Sequence, residues 1–301
     1  MNRKVAQIAG RNLSLSNLEK VLYPSTGFTK AHVLEYYRLV SPYILPHLRG
    51  RALTLKRYPD GVAEEYFFEK RCPSHQPSWV ATAEITRDNG EPMTVCLVND
   101  LDTLMWVENL ASLELHVPLA RADTPENPDA VVFDLDPGNG AGILDCLRVA
   151  LILRDLLAGL KLACFPKTSG MKGLHVLAPL NQKKTTFDDT KKFSKSVAQV
   201  LERNYPDLVT SKMAKEQRVK KVFINWSQND SSKTMVCVYS LRAGERPTVS
   251  FPMTWKELEH LESNGNPDKI QVEQSEAVNR LKKSGDLFGE MLIMKQRLPY
   301  I

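Results

Sequence analysis

Strong net charge is missing from this sequence: 40 Lys and Arg stand against 35 Asp and Glu, a formal charge of only +5 over 301 residues. Bulk electrostatics therefore does not mark it as a nucleic-acid binder, and any such argument has to come from where the charges cluster. Long apolar runs are missing too. Nowhere do about eighteen apolar residues follow one another, and no sustained apolar stretch stands behind the basic opening M-N-R-K-V, so neither membrane spanning nor secretion is expected. Cysteine is scarce: Cys72, Cys96, Cys146, Cys164 and Cys237 are odd in number, widely spaced and mostly set in apolar runs such as T-V-C-L-V. That reads as reduced core thiols in a cytoplasmic protein. Also absent are Cys and His groupings with zinc-site spacing, internal repeats, low-complexity tracts and interdomain linkers. What remains, with 43% hydrophobic residues, is a globular chain able to build a sizeable core.

Ser16-Asn17-Leu18-Glu19 has the spacing of a capping box, and Thr29 precedes an amphipathic run over 30–40 that meets Pro42. Two short helices are therefore expected near the N-terminus. From 51 to 100, β-favouring runs such as E-Y-F-F-E-K and M-T-V-C-L-V alternate with the turn signals P-D-G and D-N-G, which predicts antiparallel strands. The spacing of Leu104, Val107, Leu110, Ala111 and Leu115 predicts one helix over 101–116. Beyond it the pattern reads strand (131–136), helix (143–157), strands (161–165 and 174–178), helix (186–203) and a closing strand (222–226). That order is a split β-α-β unit.

Three constellations carry chemistry. In A-V-V-F-D-L-D-P-G, strand alternation sends Asp134 and Asp136 to one face, roughly 7 Å apart along the backbone. Two carboxylates beside a buried strand repel unless cations pair them, and hard oxygen ligands suit Mg²⁺ or Mn²⁺. A plain strand end at a Pro-Gly turn is the simpler alternative. Thr168-Ser169-Gly170-Met171-Lys172-Gly173 is a glycine-bearing loop between strands, with a hydroxyl and a lysine inside it. Gly170 and Gly173 would let backbone N–H groups approach phosphate oxygens, although the same letters also make ordinary hairpin turns. Over 211–221, Lys212, Lys215, Arg218, Lys220 and Lys221 face one acid, Glu216, which suits a phosphate backbone as well as a solvated loop.

Together with T-L-K-R-Y-P-D-G, F-F-E-K, the stretch N-D-L-D through E-L-H, K-V-F-I-N-W and Y-S-L-R, these motifs resemble the polymerase domain of bacterial-type ligase D, in the archaeo-eukaryotic primase superfamily. The resemblance runs from about Leu13 to Trp255 and on toward the C-terminus. It implies an α+β primase-polymerase fold: an RRM-like split β-α-β catalytic sheet packed with an N-terminal α/β region. One module over 1–301 is implied, with N-terminal helices over about 14–48, a core over about 50–255 and a helical segment over about 254–301. It further implies a template-directed DNA/RNA polymerase that fills gaps in non-homologous end joining, favours ribonucleotides and uses Mn²⁺ or Mg²⁺.

By residue, the resemblance implies metal ligands at Asp134, Asp136 and position 225. Nucleotide contacts fall at Lys56, Phe67 or Phe68, His116, Ser169, Lys172, Gln228 and Arg242. Asn17, Lys20 and Lys30 would grip a DNA 5′-phosphate, where a helix N-terminus already favours an anion. Lys215 and Arg218 would position primer and template. Implied partners are 5′-phosphorylated gaps or break ends, nucleoside triphosphates, Ku and a DNA ligase, with a nucleoid-associated place in the cytoplasm and no membrane. The departure is Asn225, which stands where the pattern has a third aspartate. Asn is uncommon in strands, so the position reads as held for chemistry. An amide oxygen ligates Mg²⁺ or Mn²⁺ more weakly, so slower turnover is expected. An engineered Asp→Asn change and a natural variant both fit. Two other functional readings stand beside the polymerase: a DNA-end binding or bridging module without synthesis, and a primase.

Overall fold

The computed structural model describes residues 3–86, 89–182 and 184–299. The first residue of the D-N-G turn expected at 88–90 thus lies outside the described residues. Where the sequence reading takes 1–301 as one module, packing divides the chain into two compact units. The first comprises Met1–Pro118, Val236–Ser250 and Glu273–Asp286; the second comprises Leu119–Met235, Phe251–Val272 and Leu287–Ile301.

In the first unit, β1 (Arg3–Ile8) and β2 (Arg11–Ser16) form an antiparallel hairpin. No helix follows Ser16, contrary to the capping-box expectation. Ser16 ends β2 and Asn17 takes a left-handed φ of 54°, which no first-turn residue of a right-handed helix can adopt. Short strands β3 (Val21–Tyr23) and β4 (Phe28–Thr29) lead instead into α1 (Lys30–Leu48), capped by Thr29, whose hydroxyl accepts from the His32 N–H. The helix also runs through Pro42 and Pro46, past its expected stop. Each proline removes a hydrogen bond, but the buried stripe of Val33, Tyr36, Tyr37, Val40, Ile44 and Leu48 outweighs that loss.

Next come β5 (Thr54–Arg57), β6 (Phe67–Glu69), β7 (Thr82–Thr86), β8 (Pro92–Cys96), α2 (Leu101–Asn109) and β9 (Ser112–Val117). Strand β5 pairs antiparallel with both β6 and β9. The single helix expected over 101–116 is therefore a helix and a strand. Ala111 breaks it with a left-handed φ of 59°, and Leu113, Leu115 and Val117 then bury at strand spacing. Cys72 and Cys96 form a disulfide, with Cα atoms 4.9 Å apart, so the reading of five reduced thiols is corrected for that pair. The Cys72 N–H bonds the Thr94 carbonyl at 2.9 Å, which draws distant segments together. Cys146, Cys164 and Cys237 are buried free thiols.

The second unit holds β10 (Ala130–Pro137), α3 (Ile143–Gly159), β11 (Phe165–Thr168), β12 (Leu174–Pro179), α4 (Phe187–Asn204), β13 (Val209–Thr210) and β14 (Val222–Asn225). Its sheet runs β11-β12-β10-β14-β13, with β10 central and the late strand β14 beside it. This is the expected split β-α-β topology. The strand expected over 161–165 starts only at Phe165, because Lys161 is left-handed (φ 59°) and Leu162 N–H turns back to Leu157 to close α3. Val131, Val132, Phe133 and Leu135 are fully buried along β10. Beyond β14, Asn229 continues the sheet with its side chain: Nδ2 donates to the Val132 carbonyl at 2.7 Å, and Oδ1 accepts from the Val132 N–H at 2.9 Å.

The expected C-terminal helical segment is shared between units. Helices α5 (Trp255–Asn264) and α7 (Glu290–Ile293) belong to the second unit, and α6 (Gln274–Ser284) to the first. Among the described residues no helix is long and apolar enough to cross a membrane.

Candidate active site

Strand pairing in the second unit assembles a row of polar side chains across four strands. Lys167 of β11 lies opposite His175 of β12, His175 opposite Asp134 of β10, and Asp134 opposite Asn225 of β14. Lys167 Nζ is 2.8 Å from His175 Nδ1, with the ammonium as donor, so the ring presents Nε2–H to Asp134 Oδ1 at 3.3 Å. From the other side, Asn225 Nδ2 donates to Asp134 Oδ2 at 3.2 Å. Burial works against the Asp134 charge, but the bond and field of His175, the Asn225 bond and the Lys167 charge together hold its carboxyl below the usual value.

Asp136 is placed two residues on, as the alternation requires. Burial, then the charge of Asp134, push its carboxyl up to about 7, against the opposing field of Arg218. A hard cation would remove that repulsion, and two carboxylates suit Mg²⁺ or Mn²⁺ by donor type. Among the described residues no group of three or more His, Cys, Asp or Glu is arranged to hold a metal ion. Asn225 does not present a third oxygen in this arrangement. Its Oδ1 accepts from the Ser227 hydroxyl at 2.7 Å, and Lys233 Nζ holds that hydroxyl at 2.8 Å, which turns the amide nitrogen toward Asp134. Ligation by Asn225 would require the amide to rotate against that bond.

The glycines flanking the aspartates serve close packing. A Cβ on Gly173 would lie 2.3 Å from the Leu135 carbonyl oxygen, and one on Gly138 would lie 1.8 Å from that of Arg218. The phosphate-cradle reading of Gly173 is thereby corrected: its N–H is occupied by Ser169 Oγ at 3.1 Å, and Met171 N–H by the same oxygen at 3.2 Å. Ser169 thus closes the hairpin loop on itself and Gly173 packs it against β10, while Lys172 stands exposed at the tip and forms no ion pair among the described residues. Gly138 lets the chain after Asp136 meet the basic segment, whose short 3₁₀ turn Lys215–Arg218 precedes β14. Arg218 stacks on Phe223 at 3.7 Å, and Phe223 is the β14 partner of Asp136. Lys215 is exposed, and Gln228 lies half-buried in the 3₁₀ turn after Asn225.

The first unit gathers its candidates around a residue that sequence reasoning missed. Glu114, 2% exposed, lies 2.8 Å from His116 Nε2, 3.4 Å from Arg242 Nε and 3.5 Å from Lys56 Nζ. Burial opposes its charge, yet the His116 bond and the Arg242 and Lys56 charges lower its carboxyl to about 2. His116 is itself lowered, burial exceeding the pull of Glu114. Lys56 Nζ also lies over Tyr66 at 4.1 Å and Phe68 at 5.7 Å. Register separates the two phenylalanines: Phe68 pairs with Lys56 and meets the His116 ring edge-on at 5.9 Å, whereas Phe67 pairs with Arg57. The available signal for Glu114 was E-L-H, whose outer residues share a strand face; for Lys167 and His175 it was the alternation around the loop.

Asn17, Lys20 and Lys30 are brought together by backbone bonds. Lys20 N–H donates to Asn17 O at 3.0 Å, and Lys30 N–H to Lys20 O at 2.8 Å. Lys20 pairs with exposed Asp60. Lys30 is 4% exposed, and its ammonium donates to Ser16 O at 2.7 Å. Burial, then Arg57 and Lys20, lower the Lys30 amine to about 8. That strain on the charged form is what an anion at the α1 N-terminus would relieve.

Known proteins resemble the chain over this same span. The family described as LigD, primase-polymerase domain, matches residues 29–288. The Multifunctional non-homologous end joining protein LigD of Mycolicibacterium smegmatis is 41% identical over 279 residues, covering 92% of this chain and 36% of that protein. The Bifunctional non-homologous end joining protein LigD of Bacillus subtilis is 32% identical over 273 residues, covering 91% and 43%. This chain therefore spans well under half the length of these relatives. A solved structure, the polymerase domain from Mycobacterium tuberculosis ligase D in complex with DNA, superposes with a TM-score of 0.86 at 38% identity, covering 94% of this chain and 99% of that one.

Proposed function

From the premise that this chain belongs to the LigD primase-polymerase domain family, we propose that it is a template-directed nucleotidyltransferase that adds nucleotides to a DNA 3′-hydroxyl during non-homologous end joining. The observation that carries this reading is the second unit's carboxylate pair on one strand face, with Asp134 held ionised by His175 and Asn225, and Asp136 pushed up to about 7 by burial and by the charge of Asp134.

Asp134 and Asp136 would hold Mg²⁺ or Mn²⁺, which when bound supplies charge neutralisation at the triphosphate and a lowered pKa at the primer hydroxyl. The protein's own part is positional. His175, braced by Lys167, fixes the Asp134 carboxylate. Ser169 keeps the 169–173 hairpin closed, and exposed Lys172 at its tip offers a cation to phosphate oxygens. Arg218 and Lys215 offer cations to a primer or template backbone, and Gln228 a polar contact. In the first unit, Lys56, His116 and Arg242 around Glu114, with Phe68 exposed beside them, have the chemistry of nucleotide recognition: cations for phosphate from Lys56 and Arg242, the Nδ1 acceptor of a His116 ring fixed through Nε2 for a sugar hydroxyl, an aromatic face for a base. A ribonucleotide preference is part of this reading. Asn17, Lys20 and Lys30 would take the 5′-phosphate. Ku, a DNA ligase and a place at the nucleoid follow from the end-joining role.

Asn225 favours a second reading, in which the chain holds DNA ends without extending them. Gapped DNA bearing a downstream 5′-phosphate, with Mn²⁺ and each sugar type, separates the two. Extension by this chain, or by Asn225→Asp where the parent is slow, supports the polymerase. Tight end binding with no extension by either protein would leave only the end-binding module.

A further inference from the structure

A groove of about 880 Å³ opens in the second unit, at the opposite end of β10 from the aspartates. Its position follows from register. Ala130, the first residue of β10, pairs with Pro179 at the end of β12, and the groove is lined by the loop after Pro179, by α4 and by the tail after α7. Four residue steps separate Ala130 from Asp134 and six from Asp136, roughly 13 and 20 Å. The groove is therefore not part of the carboxylate site.

Its walls are cationic. Lys184, Lys192, Lys295 and Arg297 line it, all exposed, and none forms an ion pair among the described residues. Among the described residues the one acid on the lining is Asp189, whose Oδ2 is committed to capping α4, accepting from Thr186 N–H at 2.9 Å and Thr186 Oγ1 at 2.7 Å. Lys192 adds its field to that carboxylate. Four cations thus face one acid in a chain whose overall charge is nearly balanced.

The tail is anchored in a way that directs these charges. Gln296 Nε2 donates to the carbonyls of Ala163 and Pro179, each at 2.9 Å, its Oε1 accepts from Ala163 N–H at 2.7 Å, and its own N–H bonds Leu180 O at 3.1 Å. Asn181 Nδ2 adds a bond to Met294 O at 2.7 Å. In an extended segment alternate residues point to opposite sides, so fixing Gln296 inward sends Lys295 and Arg297 outward together, roughly 7 Å apart along the chain. That is about the spacing of neighbouring phosphates on an unstacked strand. Among the described residues no aromatic ring stands exposed on the lining, Phe193 being buried, so these residues offer charge to a backbone and no platform for bases.

We propose that this groove binds the phosphodiester backbone of a single nucleic-acid strand, without regard to sequence, as a site separate from the carboxylate pair. The test is fluorescence anisotropy of a labelled oligothymidylate of about twenty nucleotides, titrated at several salt concentrations with the full chain and with Lys192→Ala/Lys295→Ala/Arg297→Ala. Loss of three phosphate contacts should weaken binding about tenfold and flatten the salt dependence by about 2 log units per log unit. All three side chains are exposed, so an unchanged melting temperature is the control for folding. Equal affinity and equal salt slope for both proteins would overturn the proposal. So would displacement of the oligonucleotide from the parent by inorganic phosphate at low millimolar concentration, which makes the groove a small-anion site. Polyglutamate binding as tightly, with the same loss in the variant, would overturn it in favour of an acidic-protein surface. Binding is read without synthesis, so absence of extension bears on the polymerase reading and not on this one.

Discussion

Asn225 donates through Nδ2 to Asp134 Oδ2 across 3.2 Å, at the one position of β14 that faces Asp134. An aspartate there would set two carboxylate oxygens against each other at hydrogen-bond distance. Without a cation, Asn225→Asp should therefore lower stability by about 1–3 kcal/mol. Millimolar Mn²⁺ should restore it, and extension of a gapped primer should rise at least tenfold over the parent. Thermal unfolding with and without Mn²⁺ checks the first pair of outcomes; a melting temperature indifferent to Mn²⁺ would sink the metal assignment.

Glu114 makes a prediction with a defined pH window. Its carboxyl is lowered to about 2 from an ordinary value of 4.5, so it contributes stability that is complete above about pH 5 and fades as pH falls toward 2. Two and a half units correspond to about 3 kcal/mol. Urea unfolding of Glu114→Gln should show a deficit of that size at pH 7, shrinking markedly by pH 3. A deficit that stays constant over this range would mean the carboxylate charge is not what holds Lys56, His116 and Arg242.

Lys30 carries a proton less readily than usual, with its amine near 8. A bound phosphate would raise that value, so affinity linked to Lys30 should be full near pH 7 and fall as pH rises through 8 to 9. A terminal phosphate, with its second pKa near 6, is already dianionic across this range. The preference for 5′-phosphorylated over 5′-hydroxyl gapped DNA should therefore shrink several-fold between pH 7 and pH 9. An advantage that does not change with pH would exclude Lys30 as the contact.

Asn229→Ala should cost about 2–4 kcal/mol in chemical denaturation, because it leaves the buried N–H and carbonyl of Val132 unpaired together. Asn229→Asp keeps an acceptor for the N–H alone and should lie nearer the alanine variant than the parent. A cost under about 0.5 kcal/mol would show that the strand needs no such side-chain extension.

Much of the second unit was legible in the sequence. The D-L-D alternation, the split β-α-β order, the Thr186 cap and the stripe of α4 all depend on residues within one or two turns of each other, and local periodicity reports such features directly. The first unit was less legible. Leu104 through Leu115 satisfies helical spacing nearly as well as a helix followed by a strand, and only the pairing of β9 with β5 decides between them. The prolines of α1 mislead for a similar reason: tertiary burial of the helix's own apolar stripe outweighs what they remove. Cys72 and Cys96 stand 24 residues apart, and nothing at that separation announces a disulfide.

The sequence by itself determined which residue types stand ready for chemistry and on which face of its own strand each one lies, since side-chain alternation follows from backbone geometry alone. Tertiary structure decided who their neighbours are. Lys167, His175, Asp134 and Asn225 are spread over a sequence separation of 91 yet form one row, because register places one residue from each of four adjacent strands side by side. Register is set by which apolar faces bury together across the whole sheet. For that reason the orientation of Asn225 toward Asp134, and the gathering of Lys56, His116 and Arg242 around Glu114, could be found only in the folded molecule.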